Sequence, residues 1–516
     1  MGDSTAAEPT ISCGARVRSQ PEVHLRAGRL AAQLRQRGVG RGQRVGVMAR
    51  NDIEFLEVSL AVASCGANPV PINTRWRAAE VAHVLSDAGI ELVFAHTEFV
   101  STIEGAAGTA GTQTGIVEIP MAAELLAAAE LDPNLRHTTG RHPELEEWIG
   151  DGEPLGWIDG AIADSMGLIY TSGTTGSPKG VLRQRMTPEQ LLAIAGATAN
   201  RMGLTAGGQM LVAGPLYHTS PNAVAMLALR MGTSITLMPR WNAERFLELV
   251  QRNRIQHAKI VPTMLSRLLS LPAEVRARYD IGSLTHLIHS AAPCPPAVKR
   301  AAIDWFGDAL WEFYGCSETG AVTWINATEW LERPGSVGRP RDGAAVTIAD
   351  DNDKALPTGE TGRVFVKGAD YWPNFAYLNR IRSEPSPFPG MIHVGDLGYL
   401  DDDGYLYLTG RGSELINIGG VNTYPAEIEA AISTLPQVED VAVFGIPHPG
   451  DLGEQVAAHI VTRPGTTLTE QAVRSELTGL LADYKVPAVI KVVETLPRDD
   501  SGKIYKAQLR SLYEPR

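Results

Sequence analysis

The sequence Thr171-Ser-Gly-Thr-Thr-Gly-Ser-Pro-Lys-Gly180 decides how this chain is interpreted, and it directly follows the apolar run Leu168-Ile-Tyr170. Its glycines, hydroxyl groups and single lysine suit a loop that wraps phosphate oxygens with backbone N–H groups and side-chain donors. It is not a Walker A loop, because Pro178, Lys179 and Gly180 occupy the places where that motif needs Gly-Lys-Ser/Thr. The sequence therefore predicts a phosphate loop after a strand, and the alternative is a solvated glycine- and serine-rich linker.

Helical and strand patterns alternate on both sides of this loop. Leu25, Leu30 and Leu34 share one helical face, and short apolar runs follow at residues 44–49, 69–72, 91–95, 210–213, 234–238, 257–261, 285–290 and 310–314. This alternation predicts an α/β fold with doubly wound, largely parallel sheets. Residues 101–160 are rich in alanine and glycine and predict no definite elements. From about Ala344 the segments become β-rich, and a small α+β pattern follows Gly410.

These changes in pattern predict three regions. Residues 1–22 are expected to form a flexible arm, residues 23–411 a large domain with a β-rich subdomain, and residues 412–516 a small mobile domain. The boundary lies near the sequence Arg411-Gly-Ser413, where a hinge is expected.

Composition excludes several classes of protein. The chain has 516 residues, with 46 Lys and Arg against 58 Asp and Glu, and its net charge of −12 argues against a nucleic-acid partner. Cys13, Cys65, Cys294 and Cys316 are far apart and form no CxxC pair, which argues against a zinc site and fits a reducing, cytoplasmic location. The first residues lack the apolar core of a signal peptide, and no apolar run approaches the roughly 18 residues of a spanning helix.

The string Tyr170–Val181 resembles the signature of the adenylate-forming superfamily, and later motifs follow in the order of its acyl-CoA synthetase branch. The resemblance covers about residues 25–512 and implies that ATP is a substrate. It implies that the nucleotide phosphates meet the following residues of the loop: Thr171, Ser172, Gly173, Thr174, Thr175, Gly176 and Lys179.

Two further motifs resemble the family's adenine and magnesium sites. In Tyr314-Gly-Cys-Ser-Glu-Thr-Gly320 the resemblance implies that Tyr314 and Gly315 adjoin adenine and that Ser317 contacts the adenylate phosphate. It also implies that Glu318 holds Mg²⁺ together with Thr175, as suits a hard oxygen ligand. Taken alone, this motif is equally typical of a capped turn. Ser290-Ala-Ala-Pro293 resembles the family's turn against adenine and adds Ala292 and Pro293, although a plain turn has the same composition.

The acyl pocket is expected between segments that carry apolar or small side chains. Pro215-Leu-Tyr-His-Thr219 resembles the family segment near the reacting carboxylate, so His218 is a candidate catalytic residue. The alternative is a structural histidine, and no His or Cys stands at the spacing of a metal ligand. The other expected lining residues are Tyr217, Val261, His289 and Cys316.

The C-terminal motifs resemble those for ribose, the hinge, coenzyme A and the catalytic lysine. The resemblance implies that Asp396 accepts both ribose hydroxyls, that Arg411 contacts ribose or phosphate, and that Ser413 is the hinge, where the family usually has Asp or Lys. Gly419 and Gly420 would allow a close approach of the coenzyme A thiol arm. In Leu496-Pro-Arg-Asp-Asp-Ser-Gly-Lys503, Lys503 would bridge the acyl carboxylate and the α-phosphate.

Together the motifs predict an ATP-dependent, AMP-forming acyl-CoA ligase that uses ATP, Mg²⁺ and coenzyme A. The expected partner is a small hydrophobic carboxylic acid without a free α-amine, and a homodimer is left open. Three alternatives stay open: an enzyme that only thioesterifies a preformed adenylate, one that loads a carrier protein, and a non-catalytic relative that binds nucleotide.

Overall fold

The computed structural model describes residues 8–156, 168–171, 178–379, 386–418, 421–450, 453–478, 480–498, 502 and 504–513. Its strands, in chain order, are β1 Thr10–Cys13, β2 Arg16–Ser19, β3 Arg44–Met48, β4 Asn68–Pro71, β5 Leu92–His96, β6 Gly115–Ile119, β7 Leu168–Thr171, β8 Lys179–Arg183, β9 Gln209–Val212, β10 Ser234–Leu237, β11 His257–Ile260, β12 His286–His289, β13 Leu310–Cys316, β14 Gly320–Asn326, β15 Arg339–Pro340, β16 Ala345–Ala349, β17 Gly362–Lys367, β18 Phe375–Tyr377, β19 Ile392–Leu400, β20 Leu406–Arg411, β21 Ile416–Ile418, β22 Val421–Thr423, β23 Val438–Pro447, β24 Glu454–Thr462 and β25 Val489–Val492.

The described helices, in chain order, are α1 Gln20–Gln36, α2 Ile53–Ser64, α3 Ala78–Ala88, α4 Val100–Ala110, α5 Ala123–Ala129, α6 Leu145–Ile149, α7 Pro188–Met202, α8 Thr219–Met231, α9 Ala243–Asn253, α10 Pro262–Leu269, α11 Ala273–Arg276, α12 Pro296–Phe306, α13 Ala327–Glu332, α14 Pro425–Ile432, α15 Glu470–Thr478 and α16 Lys506–Arg510. Within the described ranges, none of these helices combines the length and apolar character needed to cross a membrane.

The first of two compact units comprises Met1–Lys259, Tyr279–His286 and Tyr371–Pro385. It contains a four-stranded parallel sheet in the order β4-β3-β5-β6 and a three-stranded antiparallel sheet in the order β18-β8-β7. In a further sheet, β11, β9, β10 and β1 are parallel neighbours, and β2 closes the edge in antiparallel fashion. The parallel strands are short apolar runs joined by helices, as the alternating pattern predicts.

The second unit comprises Ile260–Arg278, Leu287–Asp370 and Ser386–Arg516. Strand β12 pairs in parallel with β13, and β14 and β15 continue in antiparallel fashion. A four-stranded antiparallel sheet in the order β16-β17-β19-β20 forms the predicted β-rich part. The C-terminal strands β23, β24 and β25 form a sheet whose core includes Ile428, Val443 and Ile460. The predicted α/β fold with a smaller C-terminal α+β part is confirmed, and the domain boundary at residues 411/412 stays a prediction.

The N-terminal arm is where the structure differs from the sequence interpretation. Of the predicted arm, residues 1–22, the described part contains β1, β2 and the first turn of α1. Ile11 and Cys13 are 0% and 2% exposed, because β1 pairs with β10 and directs alternate side chains inward. Ser19 caps α1 by accepting from the backbone N–H of Glu22. The alternation covers only a few residues, which is why it gives no clear period in the sequence.

Elements also occur in the alanine- and glycine-rich stretch where none were predicted. Helix α4, strand β6 and helices α5 and α6 lie between Val100 and Ile149. Ile103 and Val117 are fully buried there, but the many alanines between such residues weaken any hydrophobic period.

Strand β2 is held by buried ion pairs. Arg16 contacts the carboxylate of Asp52, which is fully buried, and also lies 2.8 Å from Glu54 Oε1. Arg18 lies 2.8 Å from the buried Glu57 Oε1. Carboxylates that are excluded from water need such partners, because an unpaired buried charge is strongly destabilising.

We therefore expect Arg16→Ala to lower the free energy of unfolding by about 3 kcal/mol, since the buried Asp52 loses its arginine partner and Glu54 keeps only Arg18. The measurement is urea unfolding followed by tryptophan fluorescence. Arg245→Ala is the matched control, because Arg245 pairs with Glu248 on a more exposed helix surface and should change stability by less than about 1 kcal/mol. Equal effects of the two substitutions would contradict this account.

Candidate functional site

The strands that flank the phosphate loop form an antiparallel hairpin. Thr171 at the end of β7 lies directly opposite Lys179 at the start of β8. The predicted phosphate-binding residues Ser172, Gly173, Thr174, Thr175 and Gly176 lie outside the described residues. The loop does follow an apolar strand as predicted, but it joins two strands and does not lead into a helix, unlike a Walker A loop.

Helix α3 holds both ends of this hairpin. The hydroxyl of Tyr170 on β7 donates to Asp87 Oδ2 at 2.6 Å, and Asn379 Nδ2 donates to the backbone oxygen of Asp87 at 2.6 Å. His83 Nε2 lies 3.0 Å from the carbonyl oxygen of Pro178, which can only accept, so this nitrogen carries the proton. His83 and Asp87 are four residues apart and share one helix face. Sequence analysis missed both residues, because no motif includes them.

Three predicted nucleotide-binding residues converge in the second unit. The Tyr314 hydroxyl on β13 donates to Asp396 Oδ2 at 2.7 Å, and Arg411 Nε lies 3.1 Å from Asp396 Oδ1. Asp396 on β19 and Arg411 on β20 are directly opposite each other in the antiparallel pair. The Asp396 residue is only 7% exposed, so its charge depends on these partners. Burial and the neighbouring Asp396 carboxylate raise the pKa of Tyr314 well above its ordinary value, which keeps the phenol a hydrogen-bond donor.

The turn after Tyr314 requires a glycine. A Cβ atom at Gly315 would lie 1.9 Å from the carbonyl oxygen of Gly320, so no other residue fits at this point of the antiparallel pair β13–β14. Ser317 and Glu318 lie in the turn between these strands, at the end of β13 where ligands of such sheets gather. Burial and the nearby Glu318 raise the pKa of the Cys316 thiol to about 12, so this small side chain is uncharged at pH 7.

The predicted adenine turn has an unusual backbone. Ala291 has φ of 79°, a left-handed conformation that costs a non-glycine residue on the order of 1 kcal/mol. It lies two residues after the end of β12 and directly precedes Ala292 and Pro293. Such strain persists only where the surroundings require the conformation, as is common at binding sites.

The segment after β9 holds two of the predicted acyl-site residues. Tyr217 is 5% exposed, and its ring centroid lies 4.6 Å from that of His218, the residue before α8. Both follow the carboxyl end of a parallel strand, where this class of sheet binds ligands. Their position agrees with the predicted role without testing it.

His289, a predicted acyl-pocket residue, lies beside a buried ion pair at the end of β12. It is 0% exposed, and its Nε2 lies 3.9 Å from Glu312 Oε2, which forms a buried ion pair with Lys299. Its contribution to the acyl pocket stays a prediction.

The predicted catalytic lysine, Lys503, lies outside the described residues, and its described neighbour Gly502 has φ of 79°. A Cβ atom at 502 would lie 2.8 Å from Thr263 Oγ1 and 3.3 Å from Val261 Cγ2, so Gly502 packs closely on these two residues. Val261 is a predicted acyl-pocket residue, and Gly502 therefore lies beside it. The Arg498 guanidinium donates to the Gly502 carbonyl oxygen and also binds Asp440 at 2.6 and 2.7 Å.

The predicted hinge residue, Ser413, lies in a short 3₁₀ turn, Gly412–Glu414. Lys506 Nζ lies 2.9 Å from both Glu414 and Glu429, and the nearby carboxylates hold its pKa above the ordinary value although burial opposes this. The predicted coenzyme A residues Gly419 and Gly420 lie outside the described residues.

Comparison with known proteins identifies the class first. The chain is 31% identical over 508 residues to 2-succinylbenzoate–CoA ligase of Geobacillus kaustophilus, covering 97% of this chain and 94% of that protein. It is 29% identical to the long-chain-fatty-acid–CoA ligase FadD13 of Mycobacterium tuberculosis, with 95% and 92% covered. The structure of ATP-bound MatB from Rhodopseudomonas palustris superposes with a TM-score of 0.82 at 29% identity, with 99% and 97% covered. The fold is that of adenylate-forming enzymes.

Two family models match this chain and identify its family. The AMP-binding enzyme model matches residues 9–373, and the model of the AMP-binding enzyme C-terminal domain matches residues 427–503. This chain belongs to the AMP-binding enzyme family, in the acyl-CoA ligase branch of the adenylate-forming superfamily. The resemblance drawn from the motifs is thus confirmed.

The cluster around Asp396 gives a direct test of nucleotide binding. We expect Asp396→Asn to weaken AMP binding by about 10- to 100-fold, because a charge-assisted hydrogen bond contributes about 1.5–3 kcal/mol. Tyr314→Phe is the matched control, since it removes the other side of the 2.7 Å hydrogen bond but keeps the aromatic ring, and it should have a smaller effect. Calorimetric titration with AMP measures both. Equal losses in the two variants would show that Asp396 acts through Tyr314 and not on the nucleotide.

Proposed function

We propose that this protein converts a hydrophobic carboxylic acid to its coenzyme A thioester through an acyl-adenylate. It is an AMP-forming acid–CoA ligase that uses ATP and coenzyme A, as its family and relatives indicate. The observation that carries the proposal is the carboxylate of Asp396, buried between the Tyr314 hydroxyl and Arg411 at the end of β13. This arrangement supports a site for the ribose and adenine of the nucleotide.

In the proposed first step the acid attacks the α-phosphorus of ATP. A carboxylate oxygen forms the new bond, the bond to the β-phosphate oxygen breaks, and pyrophosphate leaves with its electron pair. The two anionic substrates repel each other, so the protein contributes mainly positioning and charge neutralisation. Lys179, opposite Thr171 at the base of the phosphate loop, and Lys503 would supply positive charge.

The residues also fit a magnesium ion. Mg²⁺ is usually bound by one or two carboxylates together with substrate phosphates, and Glu318 offers one such carboxylate in the turn after β13. Thr175 would be a further oxygen ligand in the phosphate loop. When bound, the ion would neutralise phosphate charge during adenylation.

In the proposed second step the thiol of coenzyme A attacks the acyl carbonyl, and AMP leaves. We propose that the C-terminal domain rotates about Ser413 between the two steps, withdrawing Lys503 and bringing Gly419 and Gly420 to the thiol arm. The ion pairs of Lys506 with Glu414 and Glu429 would anchor the chain beyond this hinge to the C-terminal domain.

A hydrophobic acid is favoured by the side chains expected near the carboxylate. Tyr217 and Val261 are buried at 5% and 7% exposure, and the Cys316 thiol is neutral at pH 7. His218 would adjoin the reacting carboxylate. The similar proteins act on acids as different as 2-succinylbenzoate and long-chain fatty acids, so family membership alone does not select the acid. A homodimer and a cytoplasmic location stay predictions.

A carrier protein is the second candidate acceptor. One relative, 27% identical over 520 residues, is the fatty acid–[acyl-carrier-protein] ligase ScoC of Streptomyces coeruleorubidus. The expected coenzyme A glycines would not distinguish a free thiol from the same arm on a carrier protein. Ser413 at the hinge is the feature that favours a specialised thioesterifying enzyme as an alternative, but the lysines and carboxylates of adenylation are all present.

The test is product-resolved mass spectrometry with a panel of fatty, aromatic and polycyclic acids, ATP and Mg²⁺, with and without coenzyme A. Acyl-adenylate and pyrophosphate that convert to acyl-CoA on addition of the thiol would establish both half-reactions. Acyl-CoA formed only from a synthetic adenylate would indicate the thioesterifying alternative, and transfer only to a carrier protein would indicate the other.

The role of Lys503 predicts a separation of the two half-reactions. Lys503→Ala should slow adenylation by roughly 10²–10³-fold, because one charge-stabilising donor is lost, and should spare thioester formation from a supplied adenylate. Pyrophosphate release and acyl-CoA formation are measured separately. Lys354→Ala, on an exposed turn, is the control. Equal loss in both half-reactions would contradict the division of labour.

A further inference from the structure

A buried asparagine holds the segment that contains Tyr217 and His218. Asn51 follows β3, and its amide nitrogen donates to the carbonyl oxygens of Gly214 at 2.9 Å and Met238 at 3.0 Å. Its amide oxygen accepts from the backbone N–H of Leu216 at 2.7 Å. Asn51 is 5% exposed, so water cannot replace these hydrogen bonds. One side chain thus joins the carboxyl ends of β3, β9 and β10.

A second buried amide completes the support. Asn222 on α8 is 3% exposed, and its Nδ2 donates to the carbonyl oxygen of Leu216 at 2.9 Å. The peptide groups of Leu216 are therefore held on both sides, the N–H by Asn51 and the carbonyl by Asn222. Tyr217 comes next in the chain and has little freedom to shift.

Only an amide of this size satisfies the three backbone groups around position 51. Aspartate has the same shape, but its second oxygen would face two carbonyl oxygens and remove two donors. Alanine would leave two carbonyls and one N–H buried without partners. Because aspartate and asparagine have the same shape, Asn51→Asp tests the hydrogen bonds and leaves the packing unchanged.

We propose that Asn51 is a positioning residue for the acyl-binding segment, Pro215-Leu-Tyr-His218, and fixes where Tyr217 and His218 meet the acid. The carboxyl ends of parallel strands are where ligands bind in such sheets, and Asn51 is the side chain that joins three of these ends. The proposal rests on the proposed function, since it needs an acid bound beside this segment. It assigns Asn51 no contact with the substrate.

A merely structural role would have a different kinetic signature. If Asn51 only supports the core, its loss would lower the amount of folded enzyme and reduce the rates with ATP and acid alike. If it positions the acyl-binding segment, the KM for the acid rises while the KM for ATP does not. Misplacing a reacting group by about 1 Å can reduce rates by about 100-fold.

The matched control is Gln20→Glu. Gln20 is also a buried amide, 4% exposed, and its Nε2 donates to the carbonyl oxygen of Thr233 at 2.8 Å. Thr233 precedes β10, so this hydrogen bond lies at the end of the sheet opposite to the acyl-binding segment. Gln20→Glu makes the same change from amide to carboxylate in the same sheet, away from the segment.

The first experiment measures steady-state kinetics of adenylation by pyrophosphate release, together with thermal unfolding of each variant. We expect Asn51→Asp to raise the KM for the acid by about 10-fold or more and to leave the KM for ATP within about twofold, whereas Gln20→Glu changes neither. A parallel rise of both KM values, or the same split in Gln20→Glu, would overturn the proposal. If Asn51→Asp does not fold, Asn222→Ala takes its place, because it removes the hydrogen bond to the Leu216 carbonyl oxygen. This variant must also raise the KM for the acid and leave the KM for ATP unchanged, with a smaller rise than expected for Asn51→Asp.

The second experiment separates this proposal from the proposed function and needs no turnover. Calorimetry compares AMP with the acylsulfamoyl adenosine of the acid that the wild type prefers in the panel. We expect Asn51→Asp to lose about 10-fold in affinity for the analogue and nothing for AMP. A wild-type protein that prefers the analogue, with the same preference in Asn51→Asp, overturns this proposal alone. A wild type that binds the analogue no better than AMP overturns the proposed function as well.

Discussion

One buried carboxylate organises the second unit. Asp396 stands on β19, within the antiparallel four-stranded sheet, and receives a hydrogen bond from Tyr314 of β13, which belongs to a different sheet. An ion that is excluded from water must be paired. The contacts of Asp396 with Tyr314 and Arg411 therefore hold β13, β19 and β20 in fixed relative positions. The same carboxylate has lone pairs beyond those used by Tyr314 and Arg411. Structural pairing and the proposed recognition of ribose would therefore use one side chain.

Polar side chains on helices and strand ends repeat this arrangement in the first unit. Asp87 and His83 fix the two ends of the phosphate hairpin from α3, and Asn51 fixes the segment after β9. Each supports a loop at the edge of a sheet, where backbone groups have no strand partner. The segments expected to contact substrates are thus held by residues that lie elsewhere in the sequence. The sequence of such a loop can therefore vary with the chemistry it performs, while residues outside the loop determine its position.

The motifs predicted the class of fold and the gathering of Tyr314, Asp396 and Arg411, because each lies in a local string whose residue types are unusual together. Supporting residues escaped prediction for a physical reason. Asp87, His83 and Asn51 lie 83, 95 and 165 residues from the groups that they bind, and no local period relates them.

The anchoring of the lysine loop has a mechanical consequence. Arg498 connects the Gly502 carbonyl oxygen to Asp440, a residue of the long strand β23, and the N–H of Tyr505 donates to the carbonyl oxygen of Pro497, so Gly502 is held both by its own turn and by the C-terminal sheet. Gly502 can lie this close to Thr263 because glycine has no side chain. If that sheet moves as proposed, the ion pair between Arg498 and Asp440 would carry Gly502 with it. The contact of Gly502 with Thr263 would then be lost and regained with the position of the sheet.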